Sequence, residues 1–219
     1  MSTFSKLGVQ KDFVKALTEL GIHEPTPIQE NALPKLISSS IDCIGLAQTG
    51  TGKTAAYGLP ILQKVDPNKP HIQALILAPT RELVQQIKKQ LFKFTKYYPS
   101  KIFVEEIYGG EKIDFQISRL RRTTHIVVAT PGRLIDLLER KSLNLNEIKT
   151  LVLDEADEML SMGFKQDLNS ILQQTNGKRN LWLFSATMPE EIKRIIKTYM
   201  SADAFKIEVN KDSEVNENI

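Results

Sequence analysis

Short apolar runs with the composition of β-strands alternate along the chain with longer segments of helical periodicity. One such segment, 80–98, repeats its apolar residues every three or four positions, as an amphipathic helix does. The predicted strands are 42–47, 74–79, 102–108, 125–130, 150–155, 181–186 and 204–209. Because most of these runs are apolar without a break, they indicate parallel strands covered on both faces. The sequence therefore predicts an α/β fold with a doubly wound, mostly parallel sheet of about seven strands.

Length and composition fit a globular domain. The chain has 219 residues, of which 41% are hydrophobic and 25% charged, and its net charge of +3 permits a polyanionic partner without arguing for one. The single cysteine, Cys43, lies in an apolar run and is expected to be a buried, inert thiol in a reducing compartment. Since no segment has the pattern of a signal peptide or a membrane span, we expect a soluble, cytoplasmic protein.

The glycine-rich segment AQTGTGKT lies between a predicted strand and a predicted helix. Its glycines allow backbone N–H groups to close around phosphate oxygens at the helix N-terminus. Lys53 is expected to reach the β- and γ-phosphates, and the Thr54 hydroxyl to hold Mg²⁺. An ordinary glycine-rich turn is the alternative, but this motif rarely arises by chance. The predicted nucleotide-binding residues here are Ala47, Gln48, Thr49, Gly50, Thr51, Gly52, Lys53 and Thr54.

Carboxylates follow the fifth predicted strand, in LVLDEADEML at 151–160. Charges clustered at a strand end require a cation nearby. Asp154 is placed to anchor Mg²⁺ through its water shell, and Glu155 to orient or deprotonate an attacking water. An acidic helix start would explain Asp157 and Glu158 but not an aspartate directly after three apolar residues. We therefore predict Lys53, Asp154 and Glu155 as catalytic residues, and Thr54 and Asp154 as metal ligands.

Two further segments have alternative interpretations that the residues leave open. In the segment that begins with SAT at 185–187, Thr187 and Glu190 have the spacing of a capping box, which predicts a helix cap. In TPIQ, Gln29 also has capping-box spacing, with a proline at the first helical position. A glutamine amide can instead read an adenine edge through two hydrogen bonds. The spacing alone does not separate capping from ligand binding.

PTREL at 79–83 and TPGRL at 130–134 place an arginine in the first turn of a helix. An arginine there opposes the helix dipole unless an anion binds nearby. With the YGG segment at 108–110, the two segments would form a track of N–H and guanidinium groups for phosphates. Plain N-capping by Thr80 and Thr130, with each arginine in solvent or an ion pair, is the alternative. The basic run RLRR at 119–122 is interpreted as a solvated helix face.

Together these motifs resemble the N-terminal RecA-like domain of DEAD-box ATP-dependent RNA helicases. The motifs GIHEPTPIQ, AQTGTGKT, PTREL, GG, TPGR, DEAD and SAT occur in the family's order, and the likeness covers residues 4–210. The resemblance implies a P-loop NTPase fold, ATP and Mg²⁺ as cofactors, and RNA bound through its backbone. It implies that Gln29 reads adenine and that Phe4 packs on the base, whereas Ile22 replaces a usual aromatic. The implied RNA contacts are Pro79, Arg81, Gly110, Thr130, Gly132 and Arg133, and the implied coupling residues are Asp157, Ser185 and Thr187.

The resemblance also implies a domain organisation. Residues 1–40 are expected to be lead-in helices of the same domain, 41–209 the RecA-like ATP-binding domain, and 210–219 the start of a linker. The arginine-rich motif of a second RecA-like domain does not occur in this sequence, so we expect a second domain elsewhere and little activity from this chain alone. A nucleotide-gated interaction module and a DNA-dependent motor are the competing hypotheses.

Overall fold

Seven short strands form the centre of the fold in the computed structural model, which describes residues 3–175, 177 and 179–209. All seven correspond to predicted strands, and their bounds lie within two residues of the prediction. They are β1 (Cys43–Leu46), β2 (Ala74–Leu77), β3 (Val104–Ile107), β4 (Ile126–Ala129), β5 (Thr150–Leu153), β6 (Asn180–Ser185) and β7 (Phe205–Glu208).

The helices fall before and between the strands, as the alternating pattern predicts. The helix predicted over 80–98 ends early, at Phe94. Pro99 explains only the loss of Tyr98 from the helix, because proline disfavours helical backbone at the residue before it. The helices of the described residues are α1 (Lys11–Glu19), α2 (Pro27–Ser38), α3 (Lys53–Lys64), α4 (Arg81–Phe94), α5 (Ile113–Leu120), α6 (Pro131–Glu139), α7 (Ala156–Ser161), α8 (Lys165–Thr175) and α9 (Glu190–Tyr199).

The strands form one sheet in the order β3-β4-β2-β5-β6-β1-β7, and all neighbouring strands are parallel. In the centre of the sheet, β2 pairs with β5 so that Leu77 lies opposite Leu153. Because every strand runs in the same direction, the loops that follow the seven strands all emerge at one edge. We call this edge the carboxyl edge.

Alternate side chains of each strand enter two separate cores. On one face, residues such as Ile76 and Val152 pack with α1 to α4, and on the other face Leu77 and Leu153 pack with α5 to α9. The sheet is therefore the middle of three layers, which confirms the predicted α/β fold. The outer strand β3 is not an unbroken apolar run, because Glu105 and Glu106 are half-buried there and pair with Arg119 and Lys88.

The lead-in helices α1 and α2 share the core of the first face, where Phe13, Leu17 and Ile28 are fully buried. Cys43 is buried as predicted, and burial raises the pKa of its thiol to about 12, with a smaller contribution from Asp42. Within the described part of the chain, no helix combines the length and apolarity needed to span a bilayer. The predicted linker 210–219 lies outside the described residues.

Candidate functional site

The strand order divides the predicted site residues into two groups along the carboxyl edge. Segments predicted to bind RNA follow β3, β4 and β2, which are neighbours on one side of the sheet. The glycine loop and the segments predicted to bind metal or to couple the two sites follow β1, β5 and β6, which are neighbours on the other side, whereas Phe4 and Gln29 precede β1. The two groups meet between β2 and β5, where the backbone N–H of Asp154 donates to the carbonyl of Leu77 at 2.9 Å.

The loop between β1 and α3 has the conformation of a phosphate cradle. Gly50 and Gly52 have φ angles of +86° and +91°, a region that side chains with a Cβ atom rarely adopt. The loop begins where the Ala47 N–H donates to the carbonyl of Ser185 on β6 at 3.1 Å. Within it, the Thr51 hydroxyl donates to the carbonyl of Gln48 at 2.8 Å. The N-terminus of α3 has no capping side chain, so its first N–H groups lack a side-chain partner, which suits a bound anion.

Lys53 is the cation that the carboxylates after β5 require. Its Nζ lies 3.8 Å from Asp154 Oδ1 and donates to the carbonyl of Ala47 at 3.2 Å. The two side chains are 6% and 3% exposed, so both charges are removed from water. Burial raises the pKa of Asp154 above its ordinary value, and Lys53 opposes this rise. The pair thus holds two desolvated charges directly beneath the glycine loop.

The contacts of Asp154 suit an ion bound beside the glycine loop. Its Oδ1 is buried and has no hydrogen-bond partner among the described residues, so one oxygen of the carboxylate remains available. Thr54, the second residue of α3, is half-buried beside Lys53. In the part of the chain that the structure describes, no three His, Cys, Asp or Glu side chains could enclose a metal. A magnesium ion here would take most of its ligands from phosphate and water, as Mg²⁺ commonly does.

Tyr57 belongs to this site although the sequence reasoning missed it. Its hydroxyl donates to Asp154 Oδ2 at 2.8 Å, and its side chain is fully buried. Burial raises the pKa of Tyr57 well above its ordinary value, as does the charge of Asp154, so the phenol stays protonated and donates. The available signal was its position four residues after Lys53, which places both side chains on one face of α3.

Glu155 is held in a strained conformation where β5 passes into α7. Its φ is +52°, in the left-handed region that costs a residue with a side chain roughly 1–2 kcal/mol. Its Oε1 accepts a hydrogen bond from the Thr49 hydroxyl of the glycine loop at 3.0 Å. Strain of this kind is often found at functional sites. The loop and the two carboxylates after β5 thus lie together, as the sequence predicts.

Gln29 forms the capping bond and also contacts the glycine loop. Its Oε1 accepts from the Thr26 N–H at 3.1 Å, and its Nε2 donates to the carbonyl of Gly52 at 3.0 Å. The Thr26 hydroxyl donates to the carbonyl of Thr51 at 2.8 Å. The side chain of Gln29 is therefore next to the loop, as expected for a residue near the nucleotide. Phe4 is only 2% exposed and packs in the core, so its ring offers no open face to a base in this conformation.

The segment after β6 is bonded to the acidic segment instead of capping a helix. The N–H and the hydroxyl of Thr187 both donate to Asp157 Oδ2, at 2.9 Å and 2.7 Å. The Ser185 hydroxyl donates to the carbonyl of Thr187 at 2.7 Å. Helix α9 begins only at Glu190, after an N-cap at Pro189, so the predicted capping box at this segment is wrong. Burial opposes ionisation of Asp157, but the bonds from Thr187 hold its pKa below the ordinary value.

The two arginines in first turns differ in their surroundings. The guanidinium of Arg81 lies over the ring of Tyr108, 4.8 Å from its centre, and has no carboxylate partner among the described residues. Gly110, with φ +90°, is its neighbour, since a Cβ there would lie 3.7 Å from Arg81 Nη1. Arg81 is thus free to bind an anion beside the backbone of Gly110.

Arg133 is already engaged within the protein. Its Nη1 donates to the carbonyl of Glu111 at 2.9 Å, and its Nε lies 3.5 Å from Asp136 Oδ2. Arg119 also joins this group, with two bonds of 2.8 Å to the carboxylate of Glu111 that lower the pKa of this glutamate. The prediction of a solvated face for RLRR is therefore wrong for Arg119, because a carboxylate lies in reach. Arg121 and Arg122 are exposed as predicted, but they follow the end of α5 and do not form a helix face.

The threonines before these helices also differ. Thr80 caps α4, since its hydroxyl accepts from the Leu83 N–H at 3.2 Å, whereas Thr130 precedes α6 without a side-chain cap. The capping interpretation is therefore confirmed for Thr80 only. Pro79 is buried at the end of β2, and a Cβ on Gly132 would lie 3.7 Å from Asp167 Oδ2.

Comparisons with known proteins show which family this chain resembles in sequence. The sequence pattern of the family described as DEAD/DEAH box helicase matches residues 26–195. The ATP-dependent RNA helicase CshA of Limosilactobacillus reuteri is 50% identical over 198 residues, which are 90% of this chain and 39% of that protein. The DEAD-box ATP-dependent RNA helicase CshA of Bacillus subtilis (strain 168) is 46% identical over 199 residues, 91% of this chain and 40% of that protein.

A solved structure has the same fold. A DEAD box protein from the hyperthermophile Methanococcus jannaschii superimposes with a TM-score of 0.91 and 37% sequence identity, over 96% of this chain and 57% of that chain. The chain therefore spans about two fifths of the length of the curated relatives named above.

Proposed function

Because the chain belongs to the DEAD/DEAH box helicase family, we propose that it is the ATP-binding domain of an RNA-dependent ATPase that unwinds short RNA duplexes. The observation that carries this proposal is the buried Lys53–Asp154 pair beneath the glycine loop. Two desolvated charges at 3.8 Å, in a pair whose carboxylate oxygen Oδ1 accepts no hydrogen bond in the described structure, are well suited to a ligand that carries both phosphate and a divalent cation.

The glycine loop and Lys53 would bind the phosphates of ATP. The N–H groups at the start of α3 face the β-phosphate, and Lys53 leaves the carbonyl of Ala47 to reach the γ-phosphate. Thr54 and Asp154 Oδ1, which accepts no hydrogen bond in the described structure, would hold Mg²⁺, largely through water. When bound, the ion neutralises charge on the phosphate oxygens during transfer. Gln29 would bind the adenine edge. Beyond its two hydrogen bonds in the protein, its Nε2 keeps one proton to donate and its Oε1 keeps one lone pair to accept.

Glu155 is proposed to orient and deprotonate the attacking water. Its carboxylate lies beside the glycine loop, where it accepts a hydrogen bond from the Thr49 hydroxyl, and its backbone has the strained positive φ. A glutamine at this position would keep the shape of the side chain and lose the basic oxygen. We therefore expect Glu155→Gln to bind nucleotide and to lose turnover.

RNA is proposed to bind along the ends of β3, β4 and β2. Arg81 and the N–H of Gly110 are the best-placed phosphate contacts, and Thr130, Gly132, Arg133 and Pro79 would complete the track. Coupling to ATP would use the segment after β6. Ser185 bonds through its carbonyl to Ala47 of the glycine loop, and Thr187 bonds to Asp157 of the acidic segment. Movement of the loop on nucleotide binding would therefore pull on Asp157.

The whole protein is proposed to contain a second RecA-like domain, as the family resemblance implies. Arginines supplied from outside a P-loop domain accelerate phosphate transfer by about 10³- to 10⁵-fold in related enzymes. Half of the RNA track would also come from that domain, and the affinity for RNA depends on the number of phosphate contacts. The chain by itself should therefore bind nucleotide and hydrolyse it near background.

The test compares ATP hydrolysis by this chain with hydrolysis by the same chain joined to the second domain of a CshA relative. The joined protein should hydrolyse ATP when single-stranded RNA is added, and its Glu155→Gln variant should not. Stimulation by DNA as strong as that by RNA would favour a DNA-dependent motor. Nucleotide binding without turnover in the joined protein would favour an interaction module and contradict the proposed enzyme.

A further inference from the structure

Tyr57 occupies one oxygen of the carboxylate that the proposed function assigns to the metal. Its hydroxyl lies 2.8 Å from Asp154 Oδ2, whereas Asp154 Oδ1 faces Lys53 at 3.8 Å and accepts no hydrogen bond in the described structure. The two oxygens of Asp154 therefore have different environments. A carboxylate can rotate about its last bond by half a turn and exchange its oxygens, so something must fix which oxygen faces the loop.

The ring of Tyr57 is itself held in place by packing. It lies against Phe184 of β6, with ring centres 5.3 Å apart. Phe184 in turn fills the space over Gly45 of β1, where an added Cβ would lie only 2.5 Å from the ring. Because Tyr57 and Phe184 are fully buried, the phenol has little freedom to turn away from Asp154.

We propose that Tyr57 is a positioning residue, which holds Asp154 Oδ2 so that only Oδ1 is presented to the water shell of the nucleotide-bound magnesium. The inference rests on the proposed function and deepens it, because it adds a residue from α3 to the metal side of the site. Residues that orient a metal-binding group typically contribute about 10- to 100-fold to metal affinity or activity. The effect should therefore appear in the magnesium dependence of nucleotide binding.

The test uses Tyr57→Phe, which keeps the ring and removes one oxygen. The affinity for a fluorescent ADP is measured with excess Mg²⁺ and again with a chelator, and the ratio of the two affinities is the readout. We expect this ratio to fall about tenfold in Tyr57→Phe, with the chelator value unchanged. The matched control is Tyr97→Phe, which removes a phenol bonded to the exposed carboxylate of Glu19, far from the nucleotide site in sequence. Its ratio should equal that of the wild type.

The outcomes separate the inference from the proposed function. If the wild-type chain binds no ADP in either condition, the proposed function is wrong. If the wild type binds ADP and Tyr57→Phe keeps the wild-type ratio, the positioning role is wrong. Equal weakening with Mg²⁺ and with the chelator would also overturn it, because a purely structural role affects both conditions.

A measurement without substitution keeps the inference testable if Tyr57→Phe does not fold. The tyrosines are replaced biosynthetically by 3-fluorotyrosine, and the fluorine spectrum of the ADP complex is recorded before and after Mg²⁺ is added. Tyr57 is the most deeply buried of the five tyrosines, so its resonance should be the one least affected by a paramagnetic solvent probe. This resonance should move when Mg²⁺ is added. An unchanged resonance would contradict the proposal.

Discussion

Replacing Gly52 by alanine should destabilise the chain by more than the same change at Gly50. Both glycines have positive φ, so each alanine suffers a backbone cost of roughly 1–2 kcal/mol. At Gly50 the new Cβ meets no atom within 4 Å. At Gly52 it would lie 2.4 Å from Gln29 Nε2 and 3.0 Å from Thr26 Oγ1, the two atoms that donate to the carbonyls of Gly52 and Thr51.

The difference between the two variants can be estimated from these contacts. The side chains of Gln29 and Thr26 can move away from the new Cβ, so Gly52→Ala does not suffer a full steric clash. The additional decrease in the free energy of unfolding is that of two lost hydrogen bonds, each contributing about 1 kcal/mol. We expect a loss of about 1–2 kcal/mol for Gly50→Ala and about 3–4 kcal/mol for Gly52→Ala.

The assay is urea unfolding in the absence of nucleotide, monitored by circular dichroism. With a denaturant slope of about 2 kcal/mol/M, the midpoints of the two variants should differ by about 1 M. Equal midpoints for Gly50→Ala and Gly52→Ala would refute the conclusion that α2 braces the glycine loop through Gln29 and Thr26.

Three further results are expected. In the joined protein, Arg81→Ala should weaken RNA binding and lower its salt slope by about 1. Arg133→Ala should lower the melting temperature more than Arg81→Ala does, because it also removes the 2.9 Å hydrogen bond to the carbonyl of Glu111. Fluorescence anisotropy would measure RNA binding and thermal melting would measure stability; equal melting temperatures for the two variants would contradict this difference. Because the pKa of Asp157 is lowered in the folded state, this residue stabilises the fold above about pH 4 and loses that contribution on acidification. Thr187→Ala should raise the pKa of Asp157, as measured by a carboxyl NMR titration. An unchanged pKa would refute the role of the hydrogen bonds from Thr187. Cys43, with its pKa near 12, should react with a thiol reagent at pH 8 only after unfolding, so rapid reaction of the native chain would contradict its burial.

The strands were predictable because the five strands between the two edge strands are almost entirely buried and consist mostly of apolar residues. The edge strand β3 also contains charged residues. Only the structure shows that Glu105 and Glu106 pair with cations from helices on opposite faces of the sheet. The glycine loop was equally predictable, because its backbone angles demand glycine at Gly50 and Gly52.

Contacts between distant segments were not predictable. Tyr57 and Asp154 are 97 residues apart, and their bond depends on where α3 crosses the sheet. Arg81 and Arg133 have the same local pattern, and only their tertiary neighbours make one available and the other engaged. Thr187 has the spacing of a capping residue, yet the position of Asp157 gives its hydroxyl a charged acceptor.

The most direct test of the account is the heat of ADP binding in the presence of Mg²⁺, measured for the wild-type chain and for Lys53→Ala. We expect saturable binding of ADP at one site in the wild type, and loss of this binding in a Lys53→Ala variant that still melts cooperatively. Binding of equal strength in both proteins would place the nucleotide away from the Lys53–Asp154 pair and would contradict the account.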